Sequence, residues 1–513
     1  MYREKVTQFL CSDTEPIVQT KAGKLRGFQV NGTYTFYGIK YADAERFKAP
    51  RPVEPWDGVK DAIEYGYCCP DIIRGEEPWG WFLYPRRKYF GNENCQYLNL
   101  WTQHLDPEAK RPVMVWIHGG GYFGGSGIDL EAYDGEDLSR DGDVVAITLN
   151  HRLNIYGFFN LNEFGGEYAN SGNAGIADLV AALVWVRENI AQFGGDPDNV
   201  TIMGQSGGGG KVTTLLQTAA ADGLYHKVIL QSGVIGTKDN DRSALLTPAI
   251  LEELHITGAN LDDLSQLSHD QLVDAAEAAT KRVLGMGKPL AWGPVPGDYY
   301  RGYPTEHGFR KETEDIPMLI GCNLFELDGT SPAGVKSRLT PEEKRAMVAE
   351  RVGEKTADEV MAEFGKAYPE MDVSYAGATD IRFRIPQLLF MEKRYEMAKA
   401  PVWCYMFTYE SLFMGGVLPG HGGELPFMFG NADHNVAMFR EGVSGRLMAE
   451  MERSWLSFAY TGNPNGSHIT KWEAWDPERR ACMNLGCTTV LKHGHDERLL
   501  QLLKNKEIGE IKI

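Results

Sequence analysis

The chain has 513 residues, 43% of them apolar and 24% charged, the balance of a globular protein with a sizeable buried core rather than a disordered or fibrous one. Seventy acidic against 52 basic residues give a net charge of −18 spread along the chain, which argues against nucleic acid and anionic membrane surfaces as partners. Eight cysteines (11, 68, 69, 95, 322, 404, 482 and 487) are too few for a disulfide scaffold of this length, and without a paired CxxC or an HExxH no structural metal is expected.

In chain order, the first segment, MYREKVTQFLCSDTEP, lacks the apolar stretch of a signal peptide. The expectation is a cytoplasmic protein if Met1 is the natural start, and a secreted one if the start has been trimmed. Ile17–Val30 and Tyr34–Tyr41 read as strands joined by Asn31-Gly32, a strong hairpin signal. Short apolar runs at Val113–Ile117, Val144–Leu149, Val200–Met203, Val228–Leu230 and Met318–Ile320 read as buried parallel strands. Between the second and third, Ile176, Leu179, Val180, Leu183 and Val184 recur at the spacing of one helix face. The greasy stretch Ile176–Val186 is interrupted by Asp178 and is too short to span a bilayer. Strand and helix in alternation predict an α/β fold: a mostly parallel sheet covered on both faces, with an antiparallel N-terminal edge. Residues 251–291 and 341–387 read as helical insertions on a single catalytic domain spanning 1–513.

Two glycine-rich segments carry chemistry. Gly204-Gln205-Ser206-Gly207-Gly208 is the only G-x-S-x-G in the chain, and it stands between the strand Val200–Met203 and the helix-competent stretch Lys211–Ala220. Strand, turn and helix around a serine is the setting of a nucleophile elbow, where side chains two residues either side would collide as the chain folds back. His118-Gly119-Gly120-Gly121 ends the strand Val113–Ile117. Acyl transfer builds negative charge on a carbonyl oxygen, and glycines let main-chain N–H groups point at it unobstructed. Gly120, Gly121 and the residue after the serine, Gly207, are the candidate oxyanion donors.

These motifs, with Tyr37-Gly38-Ile39, Asn150-His151-Arg152-Leu153, Ser171–Gly175, Phe193–Gly208, Ile229–Gly233, Trp292-Gly293-Pro294, Thr461–Gly466 and Trp472–Pro477, make the sequence resemble the type-B carboxylesterase and cholinesterase family, which includes bacterial para-nitrobenzyl esterases. The resemblance runs from about Pro16 to Trp475 and implies an α/β-hydrolase fold. It places the family's acid at Glu326, after Ile320-Gly321-Cys322-Asn323, and its histidine at His421, at the head of His421-Gly422-Gly423-Glu424. The order Ser, Glu, His is the one α/β-hydrolases use. Asp328 and Glu424 are the nearest rivals to Glu326. Ser232 and Glu424 match positions that support the triad from behind, and ordinary buried polar pairing is an equal reading of them.

The sequence also departs from the family. Gln205 and Gly207 replace the acidic residue and alanine usual beside the serine. A neutral Gln205 beside the nucleophile weakens attraction for a cationic substrate, so a choline ester is not expected. The segment Ala42–Phe47 is shorter than in relatives. Cys69 and Cys95 match the family's first disulfide, with Trp79, Trp81, Phe82, Tyr84, Tyr89 and Phe90 between them; in a cytoplasmic setting the thiols are expected to stay reduced. Arg86-Arg87-Lys88 reads as a solvated surface cluster rather than a substrate-carboxylate site.

The expected activity is hydrolysis of neutral, relatively small or aromatic carboxylic esters through an acyl-enzyme, with no cofactor or metal and a small-molecule ester as substrate. An amidase or thioesterase on the same machinery, and a non-catalytic cholinesterase-like binding protein, are the alternatives. Monomer and homodimer are not distinguished.

Overall fold

The apolar runs fold as strands, and the charged or glycine-rich segments between them as helices and turns. The computed structural model describes residues 8–72, 86–234, 242–285, 292–326, 339–413, 416 and 418–504. Asp328 and the aromatics Trp79, Trp81, Phe82 and Tyr84 lie outside them. The chain divides into two compact units: Glu4–Gly233 with Thr237–Ile316, and Pro317–Ile513 with Met1–Arg3 and Val234–Gly236.

The larger unit contains β1 (Phe9–Leu10), β2 (Ile17–Gln19), β3 (Lys24–Arg26), β4 (Phe28–Val30), β5 (Thr33–Lys40), β6 (Val59–Asp61), β7 (Tyr97–Thr102), β8 (Arg111–Ile117), β9 (Val145–Leu149), β10 (Gly195–Gln205) and β11 (Lys227–Gln231). Its main sheet runs β1-β4-β5-β7-β9-β8-β10-β11. The edge as far as β7–β9 is antiparallel, and β9, β8, β10 and β11 are parallel. The β4–β5 turn is Asn31-Gly32, with φ of 48° and 93°, the positive pair that a tight hairpin requires. The stretch Ile17–Val30 is three strands rather than one: β2 and β3 pair with each other, and β3 with β6, in a separate small sheet. Val113, Met114, Val115 and Trp116 of β8 are wholly buried, because both faces of the parallel centre are covered.

The helix Ala174–Asn189 covers the expected segment but is not two-sided. It packs against the helices Asn154–Phe158 and Gly207–Leu216, so Asp178, Trp185 and Val186 are buried too, and Val184, expected to face inward, is 39% exposed. What it buries is a charge pair. Arg152 Nε and Nη2 donate to Asp178 at 2.9 and 2.7 Å, and Gln96 Nε2 donates to the same carboxylate at 3.0 Å. Arg152 Nη1 also reaches the carbonyls of Glu45 and Lys48, at 2.9 and 2.8 Å. The segment Ala42–Phe47 is thus held through the Asn150–Leu153 motif. Every donor and acceptor in the cluster has a partner except Gln96 Oε1, so its burial is tolerated.

The smaller unit contains β12 (Met318–Asn323), β13 (Val402–Thr408), β14 (Ala481–Gly486) and β15 (Val490–His493), in that order, parallel except for β14–β15. The expected insertion is helical at Pro341–Val352, Ala357–Ala367 and Arg384–Tyr395. The first begins in a capping box: Thr340 Oγ1 accepts from the Glu343 N–H, and the Glu343 carboxylate accepts from the Thr340 N–H at 2.8 Å. Trp455, on the helix Ser444–Thr461, is fully buried with its ring edge-on to Tyr405 of β13. Among the described residues no helix is long and apolar enough to cross a membrane.

Candidate active site

The nucleophile elbow lies within the larger unit. β10 ends at Gln205 and the helix Gly207–Leu216 starts two residues on, leaving Ser206 as the whole turn. Ser206 has φ 57° and ψ −128°, a conformation few non-glycine residues adopt, held by its N–H donating to the Gln231 carbonyl of β11 at 2.8 Å. The His118–Gly121 loop leaves β8 beside it. A Cβ on Gly119 would lie 3.3 Å from Ser206 Cβ, and one on Gly207 would lie 2.3 Å from Gly121 N. The two segments therefore meet main chain to main chain. Among the described residues the N–H groups of Gly120, Gly121 and Gly207 donate to no acceptor. Gln205 is buried, with its Nε2 unpartnered, and Ser232 is buried at φ 44°.

The smaller unit carries Glu326, His421 and Glu424, and Asn323, a residue that sequence reasoning passed over, bonds Glu326 through its main-chain N–H and Glu424 through its side chain. Glu326 is buried past the end of β12, and its Oε2 stands 2.5 Å from His421 Nδ1. Its Oε1 accepts from the Asn323 N–H at 2.8 Å, and its main-chain carbonyl accepts from the His421 N–H at 2.8 Å. Asn323 Nδ2 donates to the Gly420 carbonyl at 2.8 Å and to Glu424 Oε2 at 2.9 Å. A polar residue closing the otherwise apolar strand Met318–Cys322 was the available signal. Phe383 lies against the imidazole, ring centroids 4.9 Å apart.

Charge follows this arrangement. Burial alone would lower the His421 pKa, but the Glu326 carboxylate, through its charge and its hydrogen bond, raises it above the usual value. Burial, with the Glu326 charge behind it, pushes Glu424 up to about 7.

The model of the carboxylesterase family matches residues 14–503. The chain belongs to the carboxylesterase family. Among curated carboxylesterase relatives, the para-nitrobenzyl esterase of Bacillus subtilis (strain 168) is 33% identical over 96% of this chain and 99% of its own length. The phenmedipham hydrolase of Pseudarthrobacter oxydans is 31% identical over 92% of this chain and 95% of its own. Among solved structures, an esterase from anaerobic Clostridium hathewayi, described as able to hydrolyse aliphatic aromatic polyesters, superposes with a TM-score of 0.92 at 39% identity, covering 97% of this chain and 99% of that one. A para-nitrobenzyl esterase structure superposes with a TM-score of 0.76 at 32% identity, covering 96% and 99%. The protein is a serine carboxylesterase with the α/β-hydrolase fold.

In this carboxylesterase Cys69 and Cys95 are buried free thiols in hydrogen-bonding contact. Tyr89 and Phe90 are exposed and in edge-on contact with each other. Arg86 pairs with Asp129 at 3.1 Å, near the surface.

Proposed function

We propose that this carboxylesterase hydrolyses neutral, relatively small or aromatic esters in two steps through an acyl-enzyme on Ser206. Ser206 Oγ attacks the ester carbonyl while His421 takes its proton, and the alcohol leaves with the proton that His421 returns. Water then releases the acid by the same route. Glu326 holds the imidazole in the tautomer that accepts at Nε2 and stabilises the imidazolium that forms. The N–H groups of Gly120, Gly121 and Gly207 bind the oxyanion.

The observation that carries this reading is the conformation of Ser206: a non-glycine residue at positive φ, set against a loop whose N–H groups have no acceptor. Strain of that kind persists where the surroundings enforce it and is concentrated at functional positions. The Clostridium hathewayi relative's reported action on aliphatic aromatic polyesters supports an ester substrate with an aromatic part. The test pairs fluorophosphonate labelling with turnover of para-nitrophenyl esters of increasing acyl length beside matched anilides and thioesters. One serine should label stoichiometrically, and Ser206→Ala should abolish both labelling and hydrolysis. Labelling that survives that substitution rejects the nucleophile; faster cleavage of anilides or thioesters than of esters rejects the substrate class.

A further inference from the structure

Five residues beyond Ser206, on the helix that the elbow starts, stands Lys211. It is completely buried, and its Nζ donates to the His118 carbonyl at 3.0 Å, the last carbonyl before the three loop glycines. Among the described residues no carboxylate pairs with it. An ammonium taken out of water without a counter-charge is costly, and one carbonyl dipole does not offset that cost.

We propose that Lys211 is a positioning residue of the esterase reaction, whose ammonium ties the glycine loop to the nucleophile's helix and sets a positive charge beneath the site where the oxyanion forms. The inference rests on the ester-hydrolysis reading above. In the resting enzyme the cation meets only neutral dipoles. In the transition state the carbonyl oxygen bears the negative charge that the lysine lacks, so the interaction is stronger there than in the ground state and lowers the barrier. The hydrogen bond also polarises the His118–Gly119 peptide at the root of the loop and fixes where the following N–H groups point.

The groups that face Lys211 leave its charge uncompensated. His118 and His151 are buried, with ring centroids 5.3 Å apart, and both are held neutral, first by burial and then by the lysine's own charge. Burial pushes the ammonium down to about 7, with only the Cys69 thiol acting the other way. The positive charge is therefore present below neutrality and lost above it, opposite in sign to His421, which serves as a base only when deprotonated.

The experiment is kcat and KM against pH for a neutral para-nitrophenyl ester, with the wild type, Lys211→Met, Lys211→Arg and Ser206→Ala, active sites counted by fluorophosphonate. Wild-type kcat should rise as His421 deprotonates and fall again as Lys211 does. Lys211→Met, which keeps the length and loses the charge, should lower kcat about 10-fold to 100-fold on the acid side, no more than the lower end of what losing one direct oxyanion donor costs. It should leave KM nearly unchanged and converge with the wild type at alkaline pH. Lys211→Arg, always charged, should retain activity on the alkaline side. A wild-type profile with no alkaline fall overturns the proposal. So does a Lys211→Met profile that is uniformly lower with the wild-type shape, or an alkaline fall that persists in Lys211→Arg. Hydrolysis by Ser206→Ala is a different failure, since it would reject the ester-hydrolysis reading itself.

Discussion

Around Ser206, in the larger unit, the candidate groups are main chain, whereas around His421, in the smaller unit, they are mostly side chains. The serine is presented by a one-residue turn, and the candidate oxyanion donors are peptide N–H groups of three glycines that leave the space clear, two of them, Gly120 and Gly121, at positive φ. The histidine is held by Glu326, which is held by Asn323, which also holds Glu424. The first arrangement is specified by absences, and any bulk added there moves backbone. The second is specified by a hydrogen-bond network, and removing one member leaves another buried group unsatisfied. The two regions should therefore fail differently when mutated.

The largest effect is expected on the side-chain half. Glu326→Gln keeps the shape but removes the charge beside His421 Nδ1; if that charge orients the base and stabilises its imidazolium as proposed, kcat should fall by up to about 10⁴-fold with KM little changed. Asp328→Asn, measured beside it, should be near normal. Steady-state kinetics of the two variants decide the assignment, and a dead Asp328 variant beside an active Glu326 variant would reverse it.

A stability comparison comes next, because each unit also holds a fully buried Arg–Asp pair: Arg152–Asp178 in the larger and Arg384–Asp496 in the smaller. Asp178→Asn and Asp496→Asn each leave a buried guanidinium without its counter-ion, which should cost about 3–5 kcal/mol. Denaturant unfolding should show the loss with the slope unchanged. A cost below about 1 kcal/mol for either would mean that its arginine finds water or another partner.

The main-chain half should break on added volume. Alanine at position 207 is usual in the family this sequence resembles, yet here a Cβ would stand 2.3 Å from Gly121 N and 2.4 Å from Gly121 Cα. Backbone has to move, so Gly207→Ala should displace one oxyanion donor and lower kcat about 100-fold, at the lower end of what losing one donor costs. Near-normal kcat would show that the loop yields and that the donor geometry is not set by this contact.

The same contrast explains what could be read in the sequence. The parallel strands were legible because each is a short apolar run buried on both faces, and the elbow because its glycines are fixed in number and spacing. The antiparallel edge was legible only in part. Asn31-Gly32 marked its turn, but the break of Ile17–Val30 into strands of two sheets has no local signal, because pairing with the distant β6 decides it. The face of Ala174–Asn189 was misread at Val184, since helical spacing cannot report that the helices Asn154–Phe158 and Gly207–Leu216 pack against it. Glu326 and His421 were singled out by family resemblance, and the structure brings their side chains together. Asn323 and Lys211 were not found, because a buried polar residue takes its meaning from partners about a hundred positions away.

The smallest expected effect bears on how far the side-chain half extends behind the triad. Glu424 is buried, with Asn323 donating to its carboxylate, and its charge adds to those that raise the His421 pKa. Glu424→Gln removes that contribution, so the His421 pKa should fall and the acid limb of kcat/KM, which follows deprotonation of the free enzyme's base, should move to lower pH by less than about one unit. The same variant should change stability in a predictable direction. The Glu424 carboxyl binds its proton more tightly in the folded state, about 7, than its ordinary 4.5. The unfolded chain therefore releases that proton first, and this contribution to stability is present below about 4.5 and lost as pH rises through about 7. Unfolding measured across that window should fall less steeply with pH in Glu424→Gln than in the wild type. A limb that stays in place while the stability slope changes would make Glu424 a buried structural acid with no influence on the base.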